Sequence, residues 1–360
     1  MMRIAIRPEW LLTPSDSKPD SKPFSLPVLL QLLALIESHG SIIEAARDMN
    51  LSYRNAWGLL RDFDRQFGAP LVVKSRGQGS KLSSLAEKLL WADKRIAARL
   101  SPTLDSLASE LEAELEGVLS TPRQALRISA SHGFAVAALV AALGEAGTPV
   151  DLAYRNSTEA VAALARGECD LAGFHVPEGE FEAASMKQYR KWLKPRQHVL
   201  VHLASRAQGL FVAAGNPHGI VGVADLKRPD LRFVNRQIGS GTRMLLELFL
   251  AREKIRFDQI RGYDSAEYTH AAVAAYIASG MADVGFGVEH AARRFGLDFI
   301  PIVRERYFFA CQTRLLKQPL LQSVITLLKT DLLRRQINQL AGYDSQHSGL
   351  VQTLSEAFGG

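Results

Sequence analysis

Apolar residues at Leu29, Leu32, Leu33 and Ile36 recur at helical spacing and predict a first helix. Gly40 follows, and Ser41 to Trp57 then reads as two further helices joined by a very short turn. Ser41 is placed to cap the second helix, with Glu44 three residues on completing a Ser-x-x-Glu box. Met49-Asn50-Leu51 makes the turn, and Ser52 caps a third helix that runs to about Phe67 and is stopped by Gly68 and Pro70. From Ser83 to about Leu119 a longer stripe of leucine, isoleucine and valine at spacings of three, four or seven predicts a long helix, interrupted at Pro102. Beyond Ser120-Thr121-Pro122 short apolar runs alternate with helical ones: strands at 125–129, 150–154, 170–174, 231–234 and 282–286, helices at 132–143, 158–166, 242–253 and 269–279. That βαβ punctuation predicts a parallel sheet in two similarly built lobes.

The first part has the form of a DNA reader. A helical hairpin with an Ala pair such as Ala45-Ala46 at its crossing also packs this way, but two neighbours add to the pattern. The helix upstream completes a three-helix module, and Pro70 to Ser83 holds two short strands around the glycine-rich loop 75–80, a basic wing. Ser41, Ser52, Tyr53, Arg54, Asn55, Trp57 and Arg61 are the candidate contacts from the helices, and Lys74, Arg76 and Lys81 from the wing. Between Asn50 and Leu82 six bases stand against Asp62 and Asp64 alone, a phosphate footprint. The whole chain carries a net charge of +6, but residues 1–120 hold equal numbers of bases and acids. The excess in the remainder reads as a solvated face with an anion-attracting cleft.

Ser52 to Trp57, followed by Pro70-Leu71-Val72 and the glycine-rich wing, resembles the N-terminal domain of ModE, the molybdate-responsive repressor family, itself close to the LysR-type regulators. Arg3 to Trp10 resembles the short strand that opens that family. The chain departs from ModE after the wing, so that family's ligand does not carry over. The series Asn235 to Arg243, Gly262-Tyr263, Thr269 to Ala274, Gly280 to Gly287, Phe299 to Pro301 and Glu305 to Tyr307 resembles the type 2 periplasmic-binding-protein fold in the form used as the effector domain of LysR-type regulators. The expected organisation is therefore α+β and multidomain. An N-terminal strand and tail (1–26) precede a winged helix-turn-helix (27–82) and a linker helix (83–120) that pairs two or four copies of the chain. A two-lobed effector domain (123–360) follows, with lobe I about 123–204 and 305–360 and lobe II about 205–304.

The candidate chemistry of that domain is anion capture. Gly239-Ser240-Gly241-Thr242 is a glycine-rich turn entering a helix, where free N–H groups and hydroxyls favour an anion, and Arg236 and Arg243 flank it. The Gly-Lys-Ser/Thr ending of a P-loop is missing, which argues against ATP or GTP. Ser131, His132, Asn156, Ser157 and His175 follow strands of the first lobe toward the same crevice, and His270 opens a helix of the second. Cys169 and Cys311 lack metal or disulfide spacing, no apolar run reaches membrane-spanning length, and no metal or cofactor is expected. The expected protein is a cytoplasmic, non-enzymatic regulator that binds double-stranded DNA. Its effector is a small anion: molybdate or tungstate, a molybdopterin-type compound, or a carboxylate such as formate. The alternatives are a DNA binder whose lobed domain no longer senses, or an enzyme acting on a small anionic substrate; no nucleophile elbow or zinc-protease helix supports the latter.

Overall fold

The computed structural model describes residues 4–13, 24–75, 79–119 and 125–358. The chain forms two compact units, one of residues 7–97 and one of Ala98 onward together with the residues up to Ile6.

In the first unit, β1 (Leu11–Leu12) pairs antiparallel with β2 (Phe24–Ser25). The opening strand thus lies at Leu11–Leu12 and not within Arg3 to Trp10, whose described residues 4–10 form no strand. Three helices follow: α1 (Pro27–His39), α2 (Ile42–Asp48) and α3 (Tyr53–Phe67). Proline opens α1, where its missing N–H costs nothing. Ser41 accepts the Glu44 amide at 3.4 Å and Ser52 the Asn55 amide at 3.1 Å. Asn50 turns the chain in the left-handed region (φ 54°), and Gly68 ends α3 there too. The buried stripe of α3 is Ala56, Leu60 and Phe63, which join Leu29, Leu32, Leu33 and Ile36 of α1 and Ala45 and Ala46 of α2 in one core. Strands β3 (Val72–Ser75) and β4 (Gly79–Leu82) form the antiparallel wing. Its return strand is anchored where Ser80 N–H meets the Gly40 carbonyl at 2.8 Å. Gly79 lies so close to that oxygen that no side chain fits.

Helix α4 (Ser84–Leu119) is continuous through Pro102, contrary to the expected interruption. Proline removes the donor that would reach Ala98, and the carbonyl so freed is taken by the Thr269 hydroxyl at 3.0 Å. The half of α4 beyond Ala98 packs on its own domain. Ser106 and Ser109 accept the amides of Tyr154 and Leu152 at 3.0 and 2.9 Å, covering donors of a strand at the sheet edge. Leu100, Leu107 and Leu111 remain exposed.

The second unit is built on one large sheet. The elements in order are β5 (Leu126–Ala130), α5 (Phe134–Glu145), β6 (Val150–Tyr154), α6 (Ser157–Ala165), β7 (Leu171–Pro177), α7 (Glu182–Tyr189), β8 (His198–Val212), β9 (Phe233–Arg236), α8 (Gly241–Arg252), β10 (Ala266–Glu267), α9 (His270–Ala278), β11 (Val284–Val288), α10 (Glu289–Arg294), β12 (Asp298–Gln312), α11 (Pro319–Leu328), α12 (Asp331–Asn338), β13 (Tyr343–Asp344), β14 (Val351–Thr353) and α13 (Leu354–Phe358). Strands β8 and β12, each of 15 residues, pair antiparallel along their whole length. The parallel set β7-β5-β6 flanks one end of that ribbon, and the parallel set β11-β9-β10 flanks the other. The first half is covered by α5, α11 and α12 on one face and α6, α7 and α13 on the other. The second half is covered by α8 on one face and by α9 and α10 on the other.

The predicted elements are present with shifted ends. Helix α5 starts at Phe134 after an extended Gly133, not at His132. Strand β9 runs Phe233–Arg236, so Asn235 and Arg236 belong to the strand and not to the turn after it. His175 lies within β7 and not after it. The two ribbon strands had no counterpart in the predicted elements. His198–Val212 is almost wholly buried and shows no alternation to mark it. Among the described residues, no helix is long and apolar enough to cross a membrane.

Candidate functional site

In the helix-turn-helix unit Ser52, Tyr53, Arg54, Asn55 and Arg61 are exposed, while Ser41 and Trp57 are half-buried. Lys81 is exposed on β4. Lys74 is a strand residue whose side chain lies outside the description, and Arg76 lies outside the described residues. Since Ala56 and Leu60 face the core, Arg54 and Arg61 project from the opposite side of the helix and Asn55 from its flank, as helical periodicity requires.

The second unit holds a cavity of about 790 Å³ where the carboxyl ends of its parallel strands meet. Ser131 and His132 enter after β5, Arg155, Asn156 and Ser157 after β6, His175 from β7, Arg236 and Gln237 at the end of β9, and Tyr268 after β10. Three helices begin at its wall. Ser240 caps α8 by accepting the Arg243 amide (3.2 Å), Asn156 caps α6 (Glu159 amide, 2.9 Å), and Thr269 caps α9 (Ala272 amide, 2.9 Å). The starts of α6 and α8 face each other closely. A Cβ on Gly241 would lie 3.5 Å from Ser157 Oγ and 3.7 Å from His175 Nδ1, and one on Gly239 would lie 3.1 Å from Asn156 Nδ2. Two positive helix ends set against each other favour an anion between them.

Of the predicted effector residues, the cavity is lined by Ser131, His132, Asn156, Ser157, His175, Arg236, Ser240, Gly241, Thr242 and His270. Gly239 is not among the lining residues. Arg243 is turned away: its guanidinium bonds Glu247 at 3.0 Å and lies 4.7 Å over the Tyr263 ring, because α8 carries it to the side opposite the turn. Sequence reasoning missed the contribution of α4, whose Arg99, Leu100, Pro102, Thr103, Ser106 and Leu107 form one wall. Arg99 Nε is bonded at 2.6 Å to Glu267, a carboxylate only 1% exposed. No local sequence signal marks this wall, because the Arg99–Glu267 contact joins residues far apart along the chain.

Two buried arginines define the charge of the cavity region. Arg206 and Glu305 stand directly opposite each other in the ribbon register, 2% and 1% exposed, and form an ion pair at 2.5 Å. Arg236, 6% exposed, has no such partner. Its Nη2 donates to the Tyr268 carbonyl at 2.8 Å, while Nε and Nη1 are buried and unsatisfied. Burial, with the Arg206 cation nearby, pulls its pKa down to about 9, so it stays charged at neutral pH without a counter-ion.

The three histidines contribute no charge to offset or add to it. Burial and Arg236 hold His132 down to about 4, and burial with both arginines holds His175 and His270 well below the usual imidazole range. His175 Nδ1 lies 3.1 Å from Ser157 Oγ, which fixes its ring. Because these pKa values are depressed, the folded state binds fewer protons than the unfolded chain once the pH drops below about 6.5. Thermal stability should therefore fall between about pH 6.5 and 4, and a bound anion should flatten that fall by drawing protons onto the histidines. Melting curves across this range, with and without saturating anion, read the effect; two curves of identical pH slope would place the anion away from the histidines.

Two α/β halves sharing a two-stranded ribbon, with helix starts converging on a cleft, define a bilobed ligand-binding domain. The family described as the PBP superfamily domain matches residues 140–329, and the chain belongs to it. The chain is 31% identical over 198 residues to the uncharacterized protein YvgK of Bacillus subtilis (strain 168), covering 55% of this chain and 64% of that protein. It is 34% identical over 108 residues to the molybdenum-pterin-binding protein MopB of Rhodobacter capsulatus, covering 29% of this chain and 39% of MopB. It therefore spans less than two thirds of the length of either relative. Among solved structures, a C206 mutant of OxyR from Corynebacterium glutamicum covers 90% of this chain and 94% of its own, at 14% identity and a TM-score of 0.43.

Proposed function

We propose that the chain is a LysR-type transcriptional regulator in which a ModE-like winged helix-turn-helix binds double-stranded DNA and the PBP-like domain takes a small anionic effector that alters that binding. The observation that carries the effector half is Arg236, a buried guanidinium with two free donors at a cavity ringed by helix starts. Ser157 Oγ and His175 Nδ1 lie 3.1 Å apart, but the carboxylate beside that ring, Glu305 at 3.9 Å from Nε2, is already held by Arg206. With hydroxyls, amides and one uncompensated cation, the site suits reversible capture better than bond breaking. Molybdate and tungstate, a molybdopterin-type compound, and carboxylates such as formate are the candidates. Arg206 is neutralised by Glu305, so the net complement of one cation favours a singly or doubly charged ligand.

The DNA half rests on exposed Arg54 and Arg61 opposite a packed helix face, with exposed Asn55 on the flank. Exposed Leu111 of α4, which does not line the cavity, supports pairing of copies through that helix. Arg54→Ala should reduce discrimination between an operator and a scrambled duplex by about 1–3 kcal/mol, measured by fluorescence anisotropy. Unchanged discrimination would remove α3 as the reading helix. For the effector, melting curves with molybdate, tungstate, sulfate, formate and small dicarboxylates test the cavity, since a ligand of the folded state raises its stability. No shift with any of them would set the anion reading aside.

A further inference from the structure

The charge excess of the chain is concentrated on one surface that neither the cavity nor the helix-turn-helix uses. The sequence has no Asp or Glu between Glu182 and Asp225, and none between Glu305 and Asp331. The ribbon register brings these two acid-free stretches together, with Gln312 opposite His198 and the Thr313 amide bonded to the Gln197 carbonyl at 2.8 Å. The result is a groove of about 690 Å³ whose lining includes Lys191, Trp192, Lys194, Arg196 and Arg314. Lys187, Arg190 and Lys317 lie within a few residues of it in sequence and are exposed, as are the four lining cations.

None of these seven cations enters an ion pair among the described residues, whereas most arginines elsewhere in this unit do. Glu168, just beyond the Ala165 that lines the groove, is already held by Arg155 and Arg166. Lys191 lies 3.9 Å over the half-buried Trp192 ring, which keeps its ammonium at the surface. Seven like charges left unpaired repel one another and are maintained at a cost unless an anion faces them.

The chemistry favours a polymer over a single oxyanion. Every cation here is exposed and solvated, with no buried unsatisfied donor in the groove to fix one small ligand. Spread, mobile cations instead gain by displacing the counter-ions condensed on a polyphosphate. We propose that this groove is a second, sequence-independent contact for the phosphate backbone of duplex DNA. Duplex DNA is preferred to an acidic protein because the same chain carries a helix-turn-helix with its own basic wing. The proposal rests on that DNA-binding reading.

The test uses the full chain and the salt dependence of its binding to a non-specific duplex. Lys191→Gln, Lys194→Gln, Arg196→Gln and Arg314→Gln together should lower the slope of log K against log salt by about 3, at roughly 0.9 per phosphate, and weaken binding about tenfold or more at low salt. Melting temperature should not fall, and can rise as repulsion is relieved, while the effector-induced shift should not change, since the four side chains are exposed and none lines the cavity. Arg54→Ala should instead reduce sequence discrimination and leave most of the non-specific slope. If the fourfold variant keeps the wild-type slope, the groove is not a DNA contact. An unchanged slope together with lost binding of an Asp/Glu-rich peptide would assign the groove to protein. If Arg54→Ala leaves discrimination intact while the fourfold variant still lowers the slope, the groove proposal stands and the reading helix is wrong. The opposite pair of outcomes overturns the groove alone.

Discussion

Replacing Arg236 by methionine should make the unliganded protein more stable and the anion response vanish. Arg236 has Nε and Nη1 buried without an acceptor, and its nearest named charges include another cation. Leaving such a group unsatisfied costs about 1–3 kcal/mol, more when it is charged, and a thioether of similar reach removes that cost while filling the space. Because one kcal/mol moves the melting temperature of a domain this size by about 2–4 °C, Arg236→Met should melt several degrees higher without ligand. Added anion should then produce no further shift. The pair of effects separates a ligand-binding role from a structural one. A variant that melts lower and still responds to anion would make Arg236 a packing residue and leave the cavity without its charge.

The second large effect is expected at the Arg206 and Glu305 pair. Both groups are essentially unexposed and sit opposite each other where the ribbon passes from one half of the sheet to the other. Removing either partner strands a buried charge, and Glu305→Leu or Arg206→Met alone should cost about 3–5 kcal/mol. Exchanging both together should restore most of that loss, because the pair repays little more than its own desolvation. Denaturant unfolding of the two single variants and the double variant measures the coupling. Additive losses would show that the two residues act independently and that the ion pair contributes nothing of its own. Glu305→Leu also leaves Arg206 beside Arg236 as a second free cation, so this variant should bind dianions more tightly than the wild-type protein at neutral pH, read by the anion-induced melting shift.

Much of the architecture was legible along the chain for a local reason. Ser41, Ser52, Asn50 and Gly68 act within four residues of themselves, through caps and left-handed turns, so their helices were readable without knowledge of neighbours. The glycine-rich turn before α8 and the Asn156-Ser157 start of α6 were readable for the same reason, and both line the cavity. Arg243 was placed wrongly because proximity in sequence to that turn does not say which side of the helix a side chain takes. The ribbon strands went unread because strands buried on both faces show no polar alternation, and a run such as His198–Val212 then has no period to detect.

Pro102 marks the limit most clearly. By sequence it is a helix breaker, and its local effect is indeed to free the Ala98 carbonyl. Only the fold supplies Thr269 to satisfy that carbonyl, beside the stretch of α4 that walls the cavity.

By itself, then, the sequence determined the three-helix head with its wing, the long helix, the two α/β halves and the helix starts that favour an anion, all features set by periodicity, capping and turn chemistry. The tertiary structure decided which charges meet. Register across β8 and β12 sets Glu305 against Arg206, leaves Arg236 uncompensated, and joins two acid-free stretches into one basic groove by pairing residues such as His198 and Gln312, more than a hundred positions apart. Pairing of that kind depends on long-range hydrogen-bond register, which no local propensity encodes.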